Sequence, residues 1–557
     1  MLLFLLILFS LSSSFLGACY VSSSPKIAWM HKSAVIWTSW CVLAICTILI
    51  CSNRAVMGLI FNNAVADVDF SQTISTQYLQ IFITDLFYIA LIGGVYLLLN
   101  RKFKIASPIF LIGLLIFSVA IYFPGIPSAD GDNSYGQFLI HHYSDWQPPL
   151  FTLWWNIFQV KSAAFIMNML TYYGGLIYIS YYLFRKNYQW QNDVLILFCF
   201  NPLLFTQLAI VWKDVGYTGF FIDCVAIYLA QEFVKKIPYK IMLWFVYFTC
   251  LFLAVGFRLN GIFAVLPMVV LVFNKIVGGE YKFRSKTLIV SALSLFTILG
   301  YLLLNNVITY KVFSAEKVYL QTFAMLGDMA YIECNTNHDF KLNLTNFVTQ
   351  SEDSRDNLCN DQIINQYNLD AVFNPWAGFP QTLHLAKDQS EAQNIQREWL
   401  GAISHYPLVY MAYRARFLTN DLFFQYWYPT DGTSQIQQNL AMIANYQHYD
   451  MKFLFSLFLI GVTFAVLLGC IVGRNYNLAF YLLLSSLLQM VSYYFLIPAH
   501  AARYFFWNDL SMLLAVVLFT VDYRISTRHK DVVTIKHNQK NRDNMITASK
   551  KVKKVRK

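Results

Sequence analysis

The sequence predicts an all-α polytopic membrane protein, a bundle of about 12–13 spanning helices joined to a mainly helical exported segment. Composition is the first of three observations that predict this class: 57% of the 557 residues are hydrophobic and 13% are charged, whereas soluble domains carry about 25% charged residues. Apolar runs of the length that a bilayer requires, about 20 residues, recur along the chain. Short basic clusters separate the runs and agree with one orientation in the membrane.

Twelve apolar runs are the predicted spans, and they cover 34–52, 77–99, 105–123, 162–184, 192–211, 215–233, 240–257, 260–276, 287–306, 451–472, 478–497 and 504–522. A further apolar run lies within residues 1–23. Three readings of this run stay open: a signal-like segment, an extra span, or residues upstream of a translation start at Met30.

The chain divides into five predicted parts. They are N-terminal spans (1–104), a transmembrane core (105–306) with an acidic loop (124–148), an exported segment (307–450), C-terminal spans (451–523) and a basic tail (524–557). The tail holds 12 Lys or Arg and two Asp, and therefore +10 of the chain's net charge of +11. Because it has few apolar residues, we expect it to be disordered. Its positive charge favours a position on the cytoplasmic side of the membrane, where the tail can bind anionic lipid headgroups. Nucleic acid is not an expected partner.

The basic clusters also predict which loops are exported. When all of them are placed in the cytoplasm, the predicted spans alternate without conflict. These clusters are Arg101/Lys102/Lys104, Arg185/Lys186, Lys235/Lys236, Lys282/Arg284/Lys286, Arg474 and the tail. The acidic loop and the exported segment then share the opposite side. An oxidising compartment there would allow a disulfide between Cys334 and Cys359.

Three carboxylates, Asp130, Asp132 and Asp145, lie within 16 residues of the acidic loop. Charges at the edge of a membrane are scarce and are usually functional. A carboxylate can take a proton from an acceptor hydroxyl, and two carboxylates spaced like Asp130 and Asp132 can share one Mg²⁺ or Mn²⁺ ion. Gly131 would let the backbone turn so that both converge. A solvated turn in which the aspartates cap backbone groups is the alternative interpretation.

The segment Asp145-Trp146-Gln147-Pro148-Pro149-Leu150 ends the acidic loop. The Pro-Pro pair fixes the backbone where a helix re-enters the membrane. A carboxylate at Asp145 would be favoured by the dipole of that helix. Capping of the helix is therefore the alternative to a catalytic role for Asp145.

The order of these motifs resembles that of bacterial membrane glycosyltransferases with the GT-C fold. These enzymes are relatives of the protein mannosyltransferases and the lipid A aminoarabinose transferases (family 39-like), in which an acidic residue precedes a Ser-Asp-Trp-His-Pro-Pro-Leu box and an apolar helix. Four later motifs resemble motifs of the same enzymes and follow in the same order. Together with the acidic loop they extend the resemblance over roughly residues 105–520. These motifs are Val211-Trp212-Lys213-Asp214-Val215, Arg258-Leu259-Asn260-Gly261, Trp399 with His405-Tyr406-Pro407 and Arg414, and Ala502-Arg503-Tyr504-Phe505 with Trp507.

The sequence departs from the family pattern in three respects. Gln147 stands where many relatives have His, and a neutral amide cannot act as a base. The spans before residue 100 add to the usual core. Two aspartates compete for the position of the family base, and the spacing back from Tyr143-Ser144-Asp145-Trp146 favours Asp130, with Asp132 second.

The resemblance implies a GT-C-like bundle and an inverting glycosyltransferase of the bacterial cytoplasmic (inner) membrane, with its active site facing the periplasm. The implied donor is a polyprenyl-phosphate-linked sugar, and the implied acceptor is a cell-envelope glycan, a lipid such as lipopolysaccharide, or a protein. Asp130 would activate the acceptor hydroxyl, while Asp132 or Asp145 would hold a metal ion or the acceptor.

The leaving phosphate would be neutralised by Lys213, Arg258 and Arg503, which all fall at the exported ends of predicted spans. An ion pair between Lys213 and its neighbour Asp214, or simple snorkelling of Lys213, is the alternative interpretation of that residue.

Two other functions share the many spans. A transporter or flippase of lipid-linked glycans would place its key charges near the membrane midplane, often in repeated halves. A non-catalytic partner in glycan assembly is the second alternative. The sequence contains no P-loop or dinucleotide fingerprint that would indicate the use of a nucleotide.

The predicted orientation can be tested by labelling single cysteines in spheroplasts with a membrane-impermeant thiol reagent. In a background without native cysteines, we expect Thr345→Cys to react from outside and Met545→Cys to react only after lysis, because the basic clusters hold the tail in the cytoplasm. The reverse pattern would place the acidic loop on the cytoplasmic side and would contradict the proposed chemistry.

Overall fold

The computed structural model describes residues 107–126, 128–199, 207–277, 283–336, 385–423, 459–472, 477–496 and 505–521. Within these ranges 84% of the residues are helical and no strand is present, which confirms the all-α class for this part of the chain. The predicted spans 34–52 and 77–99, together with Cys359, Arg503 and the basic tail, lie outside the described residues.

The described helices are labelled here in chain order. They are α1 (Ser107–Tyr122), α2 (Ala129–Ile140), α3 (Leu153–Phe158), α4 (Ala163–Arg185), α5 (Gln189–Cys199), α6 (Lys213–Ala230), α7 (Ile237–Phe257), α8 (Ile262–Val277), α9 (Phe283–Val307), α10 (Gln321–Thr336), α11 (Gln389–His405), α12 (Pro407–Phe423), α13 (Leu459–Val472), α14 (Leu478–Leu496) and α15 (Phe506–Val521). Short 3₁₀ turns at Pro149–Thr152 and Leu259–Gly261 precede α3 and α8, and a π turn at Ile308–Val312 extends α9.

Five helices in the described ranges are long and apolar enough to cross a membrane. They are Ala163–Arg185, Ile237–Phe257, Leu259–Val277, Ser285–Val312 and Leu478–Phe495, and each coincides with a predicted span. The shorter apolar helices α1, α13 and α15 occupy three further predicted spans. In the last long helix before the exported segment, Ser285–Val312, only 11% of the most apolar 18-residue stretch is buried inside the protein. It therefore presents an apolar surface that suits contact with lipid.

The predicted span 192–211 differs from the structure. Helix α5 ends at Cys199, and Ile210 instead forms a parallel bridge with Ile126. The side chains of Leu208, Ala209 and Ile210 are buried within the protein. Residues 200–206 of this span lie outside the described residues. The described end of the apolar run is buried against protein, which hydropathy cannot distinguish from burial in lipid.

Helix α6 lies at the centre of the bundle, where it packs against α4 and α7. Glycines allow the close approach of α6 to α4. A methyl group at Gly219 would lie 2.5 Å from Thr171 Oγ1, and one at Gly175 would lie 2.9 Å from the backbone nitrogen of Asp223. Small residues at such contacts let two helix backbones pack closely, and this packing fixes the position of the first turn of α6.

A second, smaller core joins α10, α11 and α12. Leu326, Met329, Ile332 and Ile395 are fully buried in it. Tyr493 of α14 belongs to the same cluster, so this core is attached to the helix bundle. The described part of segment 307–450 is therefore helical and packed, as the sequence predicts.

A buried ionic cluster lies inside the second core. Asp328 Oδ2 accepts hydrogen bonds from Arg414 Nη2 at 2.7 Å and from Trp399 Nε1 at 2.8 Å. Burial raises the pKa of the Asp328 carboxyl, and the charge of Arg414 opposes that rise. The cluster connects one side chain from each of the three helices of this core.

Helix α10 also carries Cys334, which is disulfide-bonded. Disulfides form and persist in oxidising compartments, and the export of this segment to such a compartment stays a prediction. The pairing of Cys334 with Cys359 stays a prediction, because Cys359 lies outside the described residues.

We expect Arg414→Met to destabilise the second core by about 3–5 kcal/mol, because it leaves the buried Asp328 carboxylate without its partner. Trp399→Phe removes one hydrogen bond to that carboxylate and should cost about 1.5–3 kcal/mol. The rate of thermolysin cleavage of the purified protein would report the change. Arg397→Met is the matched control, because Arg397 is an exposed arginine of α11. Equal cleavage of the Arg414 and Arg397 variants would contradict this account.

Candidate functional site

Part of the predicted acidic loop is the helix α2, and Asp130 is its second residue. Ser128 is the N-cap: its Oγ accepts a hydrogen bond from Gly131 N at 2.9 Å and donates one to Val211 O at 2.9 Å. The first turn of a helix favours a carboxylate such as that of Asp130. The sequence predicts that Gly131 lets the backbone turn so that Asp130 and Asp132 converge, but Gly131 lies inside the helix α2. Its lack of a side chain instead allows contact with Val211, whose carbonyl oxygen would lie 2.6 Å from an added methyl group.

Two backbone hydrogen bonds bring the start of α2 next to the start of α6. Ile126 N donates to Ala209 O at 2.8 Å, and Val211 N donates to Ile126 O at 3.1 Å. The buried amide of Asn168 holds the same segment, because its Nδ2 donates to Trp212 O at 2.9 Å. The N-termini of α2 and α6 therefore meet, and they place Asp130 near Lys213, the first residue of α6.

Gln147 connects the two charged residues. Its Nε2 donates to Asp130 Oδ1 at 2.8 Å, and its Oε1 accepts from Lys213 Nζ at 2.6 Å. Lys213 Nζ also lies 4.0 Å from Asp130 Oδ2. Gln147 is buried, while 13% of the Asp130 side chain and 15% of the Lys213 side chain remain exposed. The three side chains form a charge-balanced cluster that solvent can still reach.

Asp132 does not join this cluster. It is exposed, and residues two apart on a helix do not face each other. Among the described residues, no group of three His, Cys, Asp or Glu side chains could hold a metal ion. The placement of Asp130 and Asp132 thus does not fit a preformed two-carboxylate site for Mg²⁺ or Mn²⁺, and the predicted shared metal gains no support from the geometry.

Asp145 has a different set of partners. Its Oδ2 accepts a hydrogen bond from Tyr310 Oη at 2.6 Å, and its Oδ1 accepts one from Val318 N at 2.7 Å. Its own backbone N donates to Glu316 O at 2.9 Å. The predicted capping of the following helix is not made, since Pro148 is the N-cap of the 3₁₀ turn and no side chain caps it. Asp145 instead joins the acidic loop to the start of the exported segment.

The predicted phosphate-binding arginine Arg258 is buried at the end of α7. Its Nη1 forms an ion pair with Asp214 Oδ1, its Nε donates to Asn260 Oδ1 at 3.1 Å, and its guanidinium lies 5.4 Å from the centre of the Tyr493 ring. The predicted pairing of Asp214 with its neighbour Lys213 is therefore replaced by a pairing with Arg258. Adjacent residues of a helix point in different directions, so Lys213 and Asp214 serve two separate clusters.

Two partners in these clusters were missing from the sequence prediction. Gln147 was identified only as a departure from a family motif, yet it is the contact between Asp130 and Lys213. Asp328 was not identified at all, although its two partners Trp399 and Arg414 both belong to a family-like box. A buried arginine requires a carboxylate partner, but the sequence does not show which of the carboxylates in the exported segment provides it.

The cluster of Asp130, Gln147 and Lys213 has the parts that a proton-transfer site requires. Asp130 presents a partly exposed carboxylate whose orientation is fixed by an amide donor. Lys213 adds a positive charge beside it, at a helix terminus that also attracts anions. The arrangement can therefore accept a proton from a bound hydroxyl and can interact with an anion at the same place.

We expect Gly131→Ala and Gly136→Ala to have opposite effects on stability, although both lie in α2. The first substitution forces a methyl group against Val211 O and should cost about 1–3 kcal/mol. The second has no heavy atom within 4 Å of the added methyl group and should stabilise the helix by about 0.5–1 kcal/mol. Thermal unfolding followed with a thiol-reactive dye would measure both effects, since Cys199 and Cys224 are buried and free. Equal midpoints would show that α2 does not pack on Val211 as described.

Comparison with known proteins does not assign the chain to a family. No family model matches it, and neither the curated proteins nor the solved structures contain a match. The side chains of the site and the resemblance of the motifs are therefore the basis on which a function is inferred.

Proposed function

We propose that the protein is an inner-membrane glycosyltransferase that moves a sugar from a polyprenyl-phosphate-linked donor to a cell-envelope acceptor on the periplasmic side. The observation that carries the proposal is the contact of Asp130 with Gln147 and, through it, with Lys213. A base for the acceptor and a cation for the donor phosphate are the two groups that this reaction needs, and they lie side by side. The five long apolar helices support a position in a membrane.

Asp130 is the proposed general base. In an inverting transfer, the acceptor hydroxyl loses its proton to the base while its oxygen attacks the anomeric carbon of the donor sugar. The bond from that carbon to the phosphate oxygen breaks, and the lipid phosphate leaves with the electron pair. Gln147 is a positioning residue in this scheme, because its amide donates a hydrogen bond to Asp130 Oδ1 and so fixes the orientation of the carboxylate.

Lys213 is the proposed contact for the donor phosphate. Its ammonium group is partly exposed and lies at the N-terminus of α6, where the helix dipole also favours an anion. Arg258 is a weaker candidate, because Asp214 already balances its charge within the bundle. We keep Arg503 as the third candidate on the basis of the motif resemblance alone. Stabilising charge on the leaving phosphate as it develops would lower the barrier to transfer.

The transporter or flippase of lipid-linked glycans is the second candidate, and one observation favours it. Asp223 lies about halfway along α6, away from the helix ends, and ionisable residues in the middle of a membrane helix often mark a transport pathway. The cluster around Asp130 favours the enzyme instead, because it is held at the end of α6 and is accessible from the loop side. The two functions differ in whether a new glycosidic bond is formed.

We expect Asp130→Asn to lower the rate of sugar transfer about 10²–10⁴-fold, because it removes a positioned general base while keeping the shape of the side chain. Asp132→Asn is the matched control, since Asp132 is an exposed aspartate in the same helical turn and lies outside the cluster. Lys213→Met should also lower transfer, mainly by weakening the use of the donor. The assay measures transfer from a polyprenyl-phosphate sugar to an envelope acceptor with equal amounts of purified variants.

Four outcomes of this assay separate the hypotheses. A large loss in Asp130→Asn with a small loss in Asp132→Asn assigns the base to Asp130 without a shared metal. Equal large losses would restore the shared Mg²⁺ or Mn²⁺ ion. Near-normal transfer by both variants would move catalysis away from α2, and the absence of any transfer by the parent protein would favour the transporter.

A further inference from the structure

A cleft of about 300 Å³ lies between the acidic loop and the exported segment. Asp145 and Tyr310 form one wall, and side chains of α10 and α11 form the other. Volumes of this order are typical of small-ligand sites. The cleft is separate from the Asp130 cluster but close to it. Asp145 and Gln147 are two residues apart, so their Cα atoms are separated by at most about 7 Å.

Amide side chains dominate the wall of the cleft that α11 provides. Gln389, Gln393 and Gln396 follow each other by four and three residues, which places them on one face of the helix. All three are exposed at their positions. Gln321, at the start of α10, adds a fourth amide. Each amide offers two N–H donors and one acceptor oxygen, so this wall can both donate to and accept from a ligand that carries many hydroxyl groups.

Two aromatic rings are also part of the described lining of the cleft. Tyr310 and Tyr319 line the cleft, and tyrosine combines a flat apolar face with a polar hydroxyl. A sugar ring has the same combination, with C–H groups on its faces and hydroxyl groups around its edge. Met325 and Ala392 are the aliphatic side chains among the described lining residues. These two side chains offer only a small apolar surface, which is a poor anchor for an apolar side chain of a peptide.

The charges in the cleft are already balanced. Asp145 receives hydrogen bonds from Tyr310 and from Val318 N. The ammonium group of Lys317 lies 5.0 Å from the centre of the Tyr310 ring. Lys317 is the one basic side chain among the described residues that line the cleft. A single cation beside a carboxylate is a poor site for a phosphate or another strong anion, which favours an uncharged ligand.

We propose that this cleft binds an uncharged glycan segment of the acceptor and presents its terminal sugar toward Asp130. The proposal rests on the glycosyltransferase function above and deepens it, because it selects a glycan acceptor over a protein one. The row of amides, the two tyrosine rings and the balanced charge carry the inference together. Asp145 then has a positioning role, since it joins the cleft to the segment that contains Gln147.

The test is a binding measurement on the purified full-length protein in nanodiscs, without a donor. The probe is the neutral fraction of the oligosaccharides that mild acid releases from the envelope of the source cells, freed of lipid and collected as the flow-through of an anion-exchange column. We expect the parent protein to bind this fraction. The double variant Gln393→Ala/Gln396→Ala should bind it about tenfold more weakly or worse, because two or more hydrogen bonds are lost.

Asn394→Ala is the matched control, because Asn394 is an exposed amide of α11 that does not line the cleft. Its affinity should remain within about twofold of the parent value. The acidic oligosaccharide fraction and a tryptic digest of envelope proteins serve as competing probes. Preferential binding of either competitor would overturn the proposal, and so would a failure of the parent to bind the neutral fraction. Equal affinities of the double variant and Asn394→Ala would overturn it as well.

Failure of this proposal can be distinguished from failure of the proposed function. Asp130→Asn should retain binding of the neutral fraction while losing transfer. If the parent binds the glycan through Gln393 and Gln396 but never transfers a sugar, the cleft is a glycan site in a protein that is not a transferase. If transfer depends on Asp130 but the cleft variants bind the neutral fraction like the parent, the proposed glycosyltransferase function is retained and the acceptor binds outside the cleft.

Discussion

The backbone pairing of Ile126 with residues 209–211 is the constraint on which the site depends. It joins the turn after α1 to the extended residues before α6 and so brings two helix N-termini together. Neither Asp130 nor Lys213 would be near the other without it, because 83 residues of chain separate them. The close packing of α6 against α4 at Gly175 and Gly219 then fixes the position of α6, which carries Lys213. A site of this kind requires a rigid backbone, because its polar side chains must be held in a fixed geometry.

Ion pairs of different burial have different roles in this molecule. The pairs Asp214–Arg258 and Asp328–Arg414 are almost fully buried, at junctions of helices. Removing one partner from such a pair is strongly destabilising, so both are suited to fix the arrangement of the helices. Asp130 and Lys213 lie farther apart, retain some exposure and have a neutral amide between them. This arrangement is looser and more accessible to solvent than either buried pair.

The sequence predicts the helical class well because apolar runs and span lengths are local properties. Five long helices coincide with predicted spans, and the boundaries differ by a few residues. The difference at the described end of span 192–211 arises because burial in protein and burial in lipid select the same residues. The site is only partly predictable. Asp130 and Lys213 stand out as charged residues beside apolar runs, but their contact depends on the parallel pairing at Ile210, which no local pattern encodes. The sequence predicts a backbone turn at Gly131, whereas the structure favours glycine there because an added methyl group would meet Val211, which is distant in sequence.

The length of the helix Ser285–Val312 has a consequence for where a lipid-borne substrate would be met. Its 28 residues extend about 42 Å. The hydrocarbon layer of a bilayer measures about 30 Å, and the whole membrane with its headgroups about 40–45 Å. An upright helix of this length crosses both headgroup layers as well as the lipid tails. Tyr310, near its end, would then stand among the headgroups, and Asp145 would be drawn to the same level. A phosphate carried on a polyprenyl chain would reside at this depth, so the donor proposed above would reach the proposed site by lateral diffusion without leaving the membrane.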